Sequence, residues 1–124
     1  MQKSSVNKVI LVGRTGADIE LKYTANQVAI ANVSLATTES MKDAASGEYQ
    51  DNTDWHKLVA FGKTAEFMNN YTPKGSLLAI EGRLQTRSWT DKEENKRYST
   101  EIVVNSVTPL GPKPKTAEAD ADAS

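Results

Sequence analysis

A chain of 124 residues, 25% charged and 38% hydrophobic, holds enough apolar material for one modest globular core and excludes two full domains. Its formal net charge of -1 excludes an overall basic balance, so any case for a polyanionic partner must rest on where the charges sit. The absence of cysteine excludes disulfides, thiolate metal sites and cysteine nucleophiles.

Near the N-terminus the apolar run Val9-Ile10-Leu11-Val12 follows a lysine and stops at Gly13. It is too short for a signal-peptide core or a membrane span, so a soluble, cytoplasmic protein is expected. The run is rich in β-branched residues and predicts a buried strand. Asp18 to Lys22 either extends that strand or opens a second, twisted segment. From Val28 to Ala36, Ala29, Ala31, Val33 and Leu35 alternate with Val28, Ile30, Asn32, Ser34 and Ala36, the pattern of a strand with one face on a core. Thr37 to Asn52 is polar, contains Gly47 and shows neither periodicity, which predicts a long hairpin loop.

Trp55 to Phe61 predicts a third strand, ended by Gly62. Ala65, Phe67, Met68 and Tyr71 then fall at helical spacing, predicting a helix over 63–71 closed by Pro73 and Gly75. Leu77 to Leu84 predicts a fourth strand, with Gly82 marking a bulge or bend. A charged turn spans Asp91 to Lys96, and Tyr98 to Val107 alternates as a fifth strand. The fold class is therefore all-β with one short helix. Five strands with the helix between the third and fourth is the order of an OB-fold barrel, and a half-open sheet with a covering helix is the alternative. Beyond Val107, Pro109, Pro112 and Pro114 are expected to break any element, and alanine then alternates with Glu118, Asp120 and Asp122. Residues 1–108 form one expected domain and 109–124 a disordered acidic tail.

No constellation for catalysis is visible. His56 is the single histidine, and HExxH, P-loop and GxSxG patterns are absent, so neither an enzyme, a bound metal nor a cofactor is expected. The aromatics carry more information. Trp55, Phe61 and Trp89 lie in segments that also hold Lys57, Lys63, Arg87 and Lys92. Bases stack on aromatic faces while neighbouring cations hold phosphates, a combination that needs no sequence preference. On the third strand Trp55, Lys57, Val59 and Phe61 share one face and His56, Leu58 and Ala60 the other. A face that carries Lys57 between two aromatics is a poor barrel interior, although a core role for Trp55 and Phe61 is the competing reading. Trp89 leads into a polar hairpin that a core tryptophan would not favour. His56, alone and on the opposite face, is expected to be a packed or hydrogen-bonded residue rather than a ligand.

The chain also carries Val6-Asn7-Lys8-Val9-Ile10-Leu11-Val12-Gly13, Ala31-Asn32 with Leu35-Ala36-Thr37, Thr53-Asp54-Trp55-His56, Phe61-Gly62-Lys63 and Tyr71 with Lys74-Gly75-Ser76. Further on come Ile80-Glu81-Gly82 with Leu84, Thr86-Arg87, Trp89-Thr90-Asp91, and Tyr98 with Val103-Val104-Asn105. In that order and spacing, from about Val6 to Val107, the chain resembles the bacterial-type single-stranded-DNA-binding protein family. The resemblance implies an OB fold assembled as a homotetramer with single-stranded DNA wrapped over it. Such a protein protects unpaired strands during replication, recombination and repair. The resemblance implies stacking roles for Trp55, Phe61 and Trp89, phosphate contacts for Lys8, Lys22, Lys57, Lys63, Lys74 and Arg87, and a subunit-interface position for His56. It also implies a nucleoid-associated protein of a bacterial host. The function of a different class kept beside it is an OB-fold protein-interaction module with little nucleic-acid binding.

Two departures bear on these expectations. Where the family usually has a further aromatic in the long loop, Thr38-Glu39-Ser40 is followed by Met41, a side chain that packs on a base but lacks a π-face. Tyr49, in the same loop, is the expected partial substitute. The family's acidic tail ends in apolar residues that recruit replication and repair proteins. Here the tail ends Asp120-Ala121-Asp122-Ala123-Ser124, with the acid but without the apolar tip, which argues against recruitment by that route. Either the chain is a divergent, phage- or plasmid-borne version with other partners, or it is truncated.

Overall fold

A computed structural model describes residues 4–111. The expectations for the tail beyond Gly111 fall outside the described residues. Six strands and one helix follow in the order β1 (Val9–Thr15), β2 (Glu20–Tyr23), β3 (Ala29–Lys42), β4 (Tyr49–Phe61), α1 (Gly62–Tyr71), β5 (Leu77–Thr90) and β6 (Lys96–Leu110). β1, β5, β6, β4 and β3 are hydrogen-bonded in that sequence, and β1 returns to β3 through Arg14↔Ala36 and Thr15↔Leu35. That last contact closes a five-stranded barrel and excludes the half-open sheet. β2 takes over the edge of β3 where β1 leaves it, pairing Glu20 to Tyr23 with Ala29 to Asn32, so the segment near Asp18 opens a new strand.

Closure demands two tight corners. A Cβ on Gly13 would lie 2.2 Å from the Ala36 carbonyl oxygen, and one on Gly82 2.1 Å from that of Val103. Only glycine lets the backbones meet so closely, and the β5–β6 register slips between Glu81 and Gly82, the bulge expected there. The alternation read along Val28–Ala36 puts Ala29, Ala31, Val33 and Leu35 inside with Leu58, Ala60, Leu78, Ile80, Ile102 and Val104. Helix α1 plugs one end of the barrel with Ala65 and Met68. It stops where Thr72 donates both its N–H and its hydroxyl to the Met68 carbonyl, ahead of Pro73.

Three expectations are corrected. Val9–Val12 is a strand but not a buried one: Val9 and Leu11 pack partly against the core, while Ile10 and Val12 alternate with them and face water. The segment from Thr37 to Asn52 is not a long loop. β3 runs on to Lys42 and β4 begins at Tyr49, paired residue by residue as far as Lys42↔Tyr49. This ribbon projects beyond the core, so neither face selects apolar residues and the period-2 signal vanishes although the ladder persists. The β5–β6 ribbon does the same, with Thr90↔Lys96 as its last pair. Pro109 does not break β6, which continues to Leu110. β4 pairs with β6 only at Leu58↔Ile102 and Val59↔Val103, so near Pro109 the strand has a partner on one side and a missing N–H is tolerated.

Candidate nucleic-acid interface

Strand alternation decides which side chains of β4 face water. Leu58 and Ala60 are buried, while Trp55 is 62% and Phe61 46% exposed. Both aromatics therefore stand on the outer face, and the competing core reading fails. Tyr49, 70% exposed, falls on the same face. The three rings recur every six residues, roughly 20 Å apart along an extended strand. Across on β3, small residues oppose Trp55 and Lys57, which pair with Ala36 and Ser34, whereas Phe61 pairs with Ile30 and Tyr49 with Lys42. Met41 lies at the odd-numbered, core-side positions of β3 with Leu35 and Thr37, so it leaves the opposite face of the ribbon from Tyr49.

The second ribbon supplies another wall. Arg83, Gln85, Arg87 and Trp89 alternate along one face of β5, a spacing already legible in the sequence although only Arg87 and Trp89 stood out there. Trp89 is 44% exposed and the Arg87 guanidinium carbon sits 5.4 Å from its ring centroid, within cation–π range. Arg87 also meets Glu101 at 3.1 Å, across the β5–β6 pair. An open groove of about 420 Å³ runs between the loop before β2 and this ribbon. Asn32, Ser34, Lys57 and Val59 lie along it, with Asp18 and Glu20 on the β2 side and Arg87 and Glu101 on the β6 side. Lys57 and Arg87 are thus brought together, but the groove is of mixed sign.

The six cations singled out in the sequence divide into two sets. Lys8 bonds Glu81, Lys22 lies 3.6 Å from Glu20, and Arg87 is held by Glu101. Among the described residues Lys57, Lys63 and Lys74 make no ion pair. Lys63 is the second residue of α1, two positions after Phe61, and Lys74 sits in the turn after α1, its backbone N–H donated to Asp18. Lys42, opposite Tyr49, and Arg97, opposite Trp89, were passed over in the sequence, because the register that sets each beside an aromatic is a tertiary fact.

The electrostatics are otherwise those of an exposed surface. The Lys8 hydrogen bond holds the Glu81 carboxyl below its ordinary range, aided by the lysine charge. Asp91 is lowered first by the Arg97 hydrogen bond and then by the Asn95 N–H, and Asp43 first by the Ser46 hydroxyl and then by the Ala45 N–H. His56 is half-buried on the core-side face, its Nε2 2.8 Å from the Thr37 hydroxyl. Among the described residues no group of three or more His, Asp and Glu side chains is placed to hold a metal, and no helix is long and apolar enough to cross a membrane.

Compared with known families, the chain matches the single-strand binding protein family over residues 6–110. Among solved structures it is similar to the Plasmodium falciparum SSB in complex with single-stranded DNA. The match has a TM-score of 0.77 and 30% identity, and covers 90% of this chain and 100% of that one. It is also similar to a deletion mutant of the single-stranded DNA binding protein from Thermus aquaticus. That match has a TM-score of 0.73 and 29% identity, and covers 86% of this chain and 51% of that one.

Proposed function

This chain belongs to the single-strand binding protein family, a non-enzymatic DNA-binding family, and we propose how its surface holds the single-stranded DNA that it binds. The bases stack on Trp55, Phe61 and Trp89, with Tyr49 as a further platform at the ribbon tip and Met41 a minor contact from the other face. Lys57, Lys63 and Lys74 take phosphates directly, and Lys8, Lys22 and Arg87 do so in competition with their carboxylate partners. Recognition is independent of base identity, since every base has a π-face and every nucleotide a phosphate. The observation that carries this reading is the exposure of large aromatics on a face that also presents unpaired lysines. A monomeric barrel gains nothing from leaving such rings in water.

The same reading extends to assembly and role. Val6, Ile10 and Val12 are exposed, the last two on the outer face of β1, where Val12 pairs with Ala79 and Ile10 with Glu81, and β1 carries none of the stacking rings. These exposed apolar side chains support a homotetramer, with His56 packed between subunits, in which the strand wraps over several barrels. The assembled protein acts in the cytoplasm, protecting exposed strands during replication, recombination and repair. Oligo-dT titrated against intrinsic tryptophan fluorescence, run beside sedimentation, tests both parts. Strong quenching and a tetramer are expected. Unchanged emission at low salt would sink the stacking mechanism, and a monomer at micromolar concentration the assembly.

A further inference from the structure

We infer that Gly16 is a positioning residue for Trp55, and that the turn between β1 and β2 is a rigid backstop holding that indole in its stacking pose. The inference rests on the stacking role proposed for Trp55. It begins with space: a Cβ on Gly16 would lie 2.4 Å from Cζ3 and 2.7 Å from Cη2 of the Trp55 ring. The indole therefore leans from β4 across β3, over the small side chain of Ala36, until its six-membered ring rests against the Gly16 backbone. Gly16 does not have a positive φ, so its lack of a side chain is not required by the turn itself. What requires it is the ring, 39 positions further along the chain.

The backstop cannot retreat. The Gly16 N–H donates to the Ser34 carbonyl at 2.9 Å, fastening the turn to β3. Thr15, buried, is bonded on every side to the turn after α1. Its N–H donates to the Ser76 carbonyl and its hydroxyl to the Pro73 carbonyl at 2.8 Å, while its carbonyl accepts from Gly75 and its hydroxyl oxygen from the Ser76 N–H. Arg14 reaches the Gly75 carbonyl, and Asp18 accepts the Lys74 N–H. A side chain at position 16 thus meets an immobile base on one side and the indole on the other, and the exposed indole moves. Holding the ring in place before DNA arrives removes the rotamer cost of ordering it on binding.

The test is a double-mutant cycle, with affinity for labelled oligo-dT read by anisotropy. Trp55→Ala alone is expected to weaken binding roughly 5- to 150-fold, the range of one lost stacking platform. Gly16→Ala is expected to cost about fivefold or more in the parent and less than about twofold in Trp55→Ala, because its effect passes through the ring. Equal losses in both backgrounds, or none in the parent, overturn the inference. A readout without DNA separates it from the stacking reading. With Trp89→Phe leaving Trp55 as the single tryptophan, Gly16→Ala should lower its emission anisotropy and raise its quenching by acrylamide. Unchanged values overturn the seat, whereas a Trp55→Ala variant of undiminished affinity overturns stacking there. Should Gly16→Ala unfold the barrel, adding Trp55→Ala should restore folding by circular dichroism, and a double variant that stays unfolded also overturns the seat. Thr15→Val, which deletes the bracing hydroxyl and leaves Gly16 in place, is expected to raise acrylamide quenching to a lesser degree.

Discussion

The two ribbons that project from the barrel are built alike and charged differently. Each continues a barrel strand pair past the core, each carries a tryptophan on an exposed face, and each ends in a turn organised by one aspartate. In the β3–β4 ribbon Trp55 leans on fixed backbone and its neighbour Lys57 has no carboxylate partner among the described residues. In the β5–β6 ribbon Trp89 sits one residue from the strand's end, under an arginine already paired with Glu101. The first ribbon offers a fixed ring and an available cation, the second a ring whose cation has a competing partner. Equal residue types in equal frameworks thus present unequal binding surfaces, and neighbouring carboxylates make the difference.

The largest expected consequence lies in the two rings. Trp55→Ala should fall in the upper part of the roughly 1–3 kcal/mol typical of a stacking position and Trp89→Ala in the lower part, because the braced ring loses less entropy when it meets a base. Competition titration with a labelled oligonucleotide measures both, with circular dichroism to establish that each variant folds. A larger loss at Trp89 would reverse the ranking.

Cations come next. Lys57→Ala should reduce the slope of log affinity against log salt by about one phosphate's worth, roughly 0.7, since an unpaired lysine contributes its full counterion release on a single strand. Arg87→Ala should change the slope less, because Glu101 already neutralises part of that charge. Glu101→Gln should then strengthen binding at low salt by severalfold, and a variant that binds more weakly would show that Glu101 serves to aim Arg87.

The smallest effects belong to the turns. Asp43 accepts from the Ser46 hydroxyl and the Ala45 N–H, and Asp91 from Arg97 and from the Glu93 and Asn95 N–H groups. Both carboxyls are held below their ordinary range, so each stabilises its turn above that range, and the contribution is lost as pH falls through the lowered value. Their leading causes differ, a neutral hydroxyl at Asp43 and a guanidinium at Asp91. Added salt should therefore raise the apparent pKa of Asp91 while leaving Asp43 nearly unmoved, as followed by carboxyl NMR shifts. Equal movement would show that the ion pair adds nothing to that turn.

The same ribbons mark where sequence reading stopped. Alternation is visible only where one strand face meets a core, as along Ala29–Leu35, and it fails from Thr37 onward because both faces are wet although the strand continues. The outward face of Trp55 and Phe61 was legible because Leu58 and Ala60 between them are plainly core residues. Trp89 was legible from its polar hairpin. The roles of Met41 and Tyr49 were not separable, since the hairpin register that sends them to opposite faces is invisible inside a segment read as loop.

By itself the sequence determined an all-β chain with one helix, its core strands and the exposed faces of its aromatics. These are local properties, set by period, by turn residues and by which side chains can leave water. Only the tertiary structure decided that β1 returns to β3 to close the barrel, that Glu101 takes Arg87 while no described carboxylate takes Lys57, and that Gly16 backs Trp55. Each of these joins residues far apart in the chain, and a contact of that kind exists only once strand register has set which side chains meet.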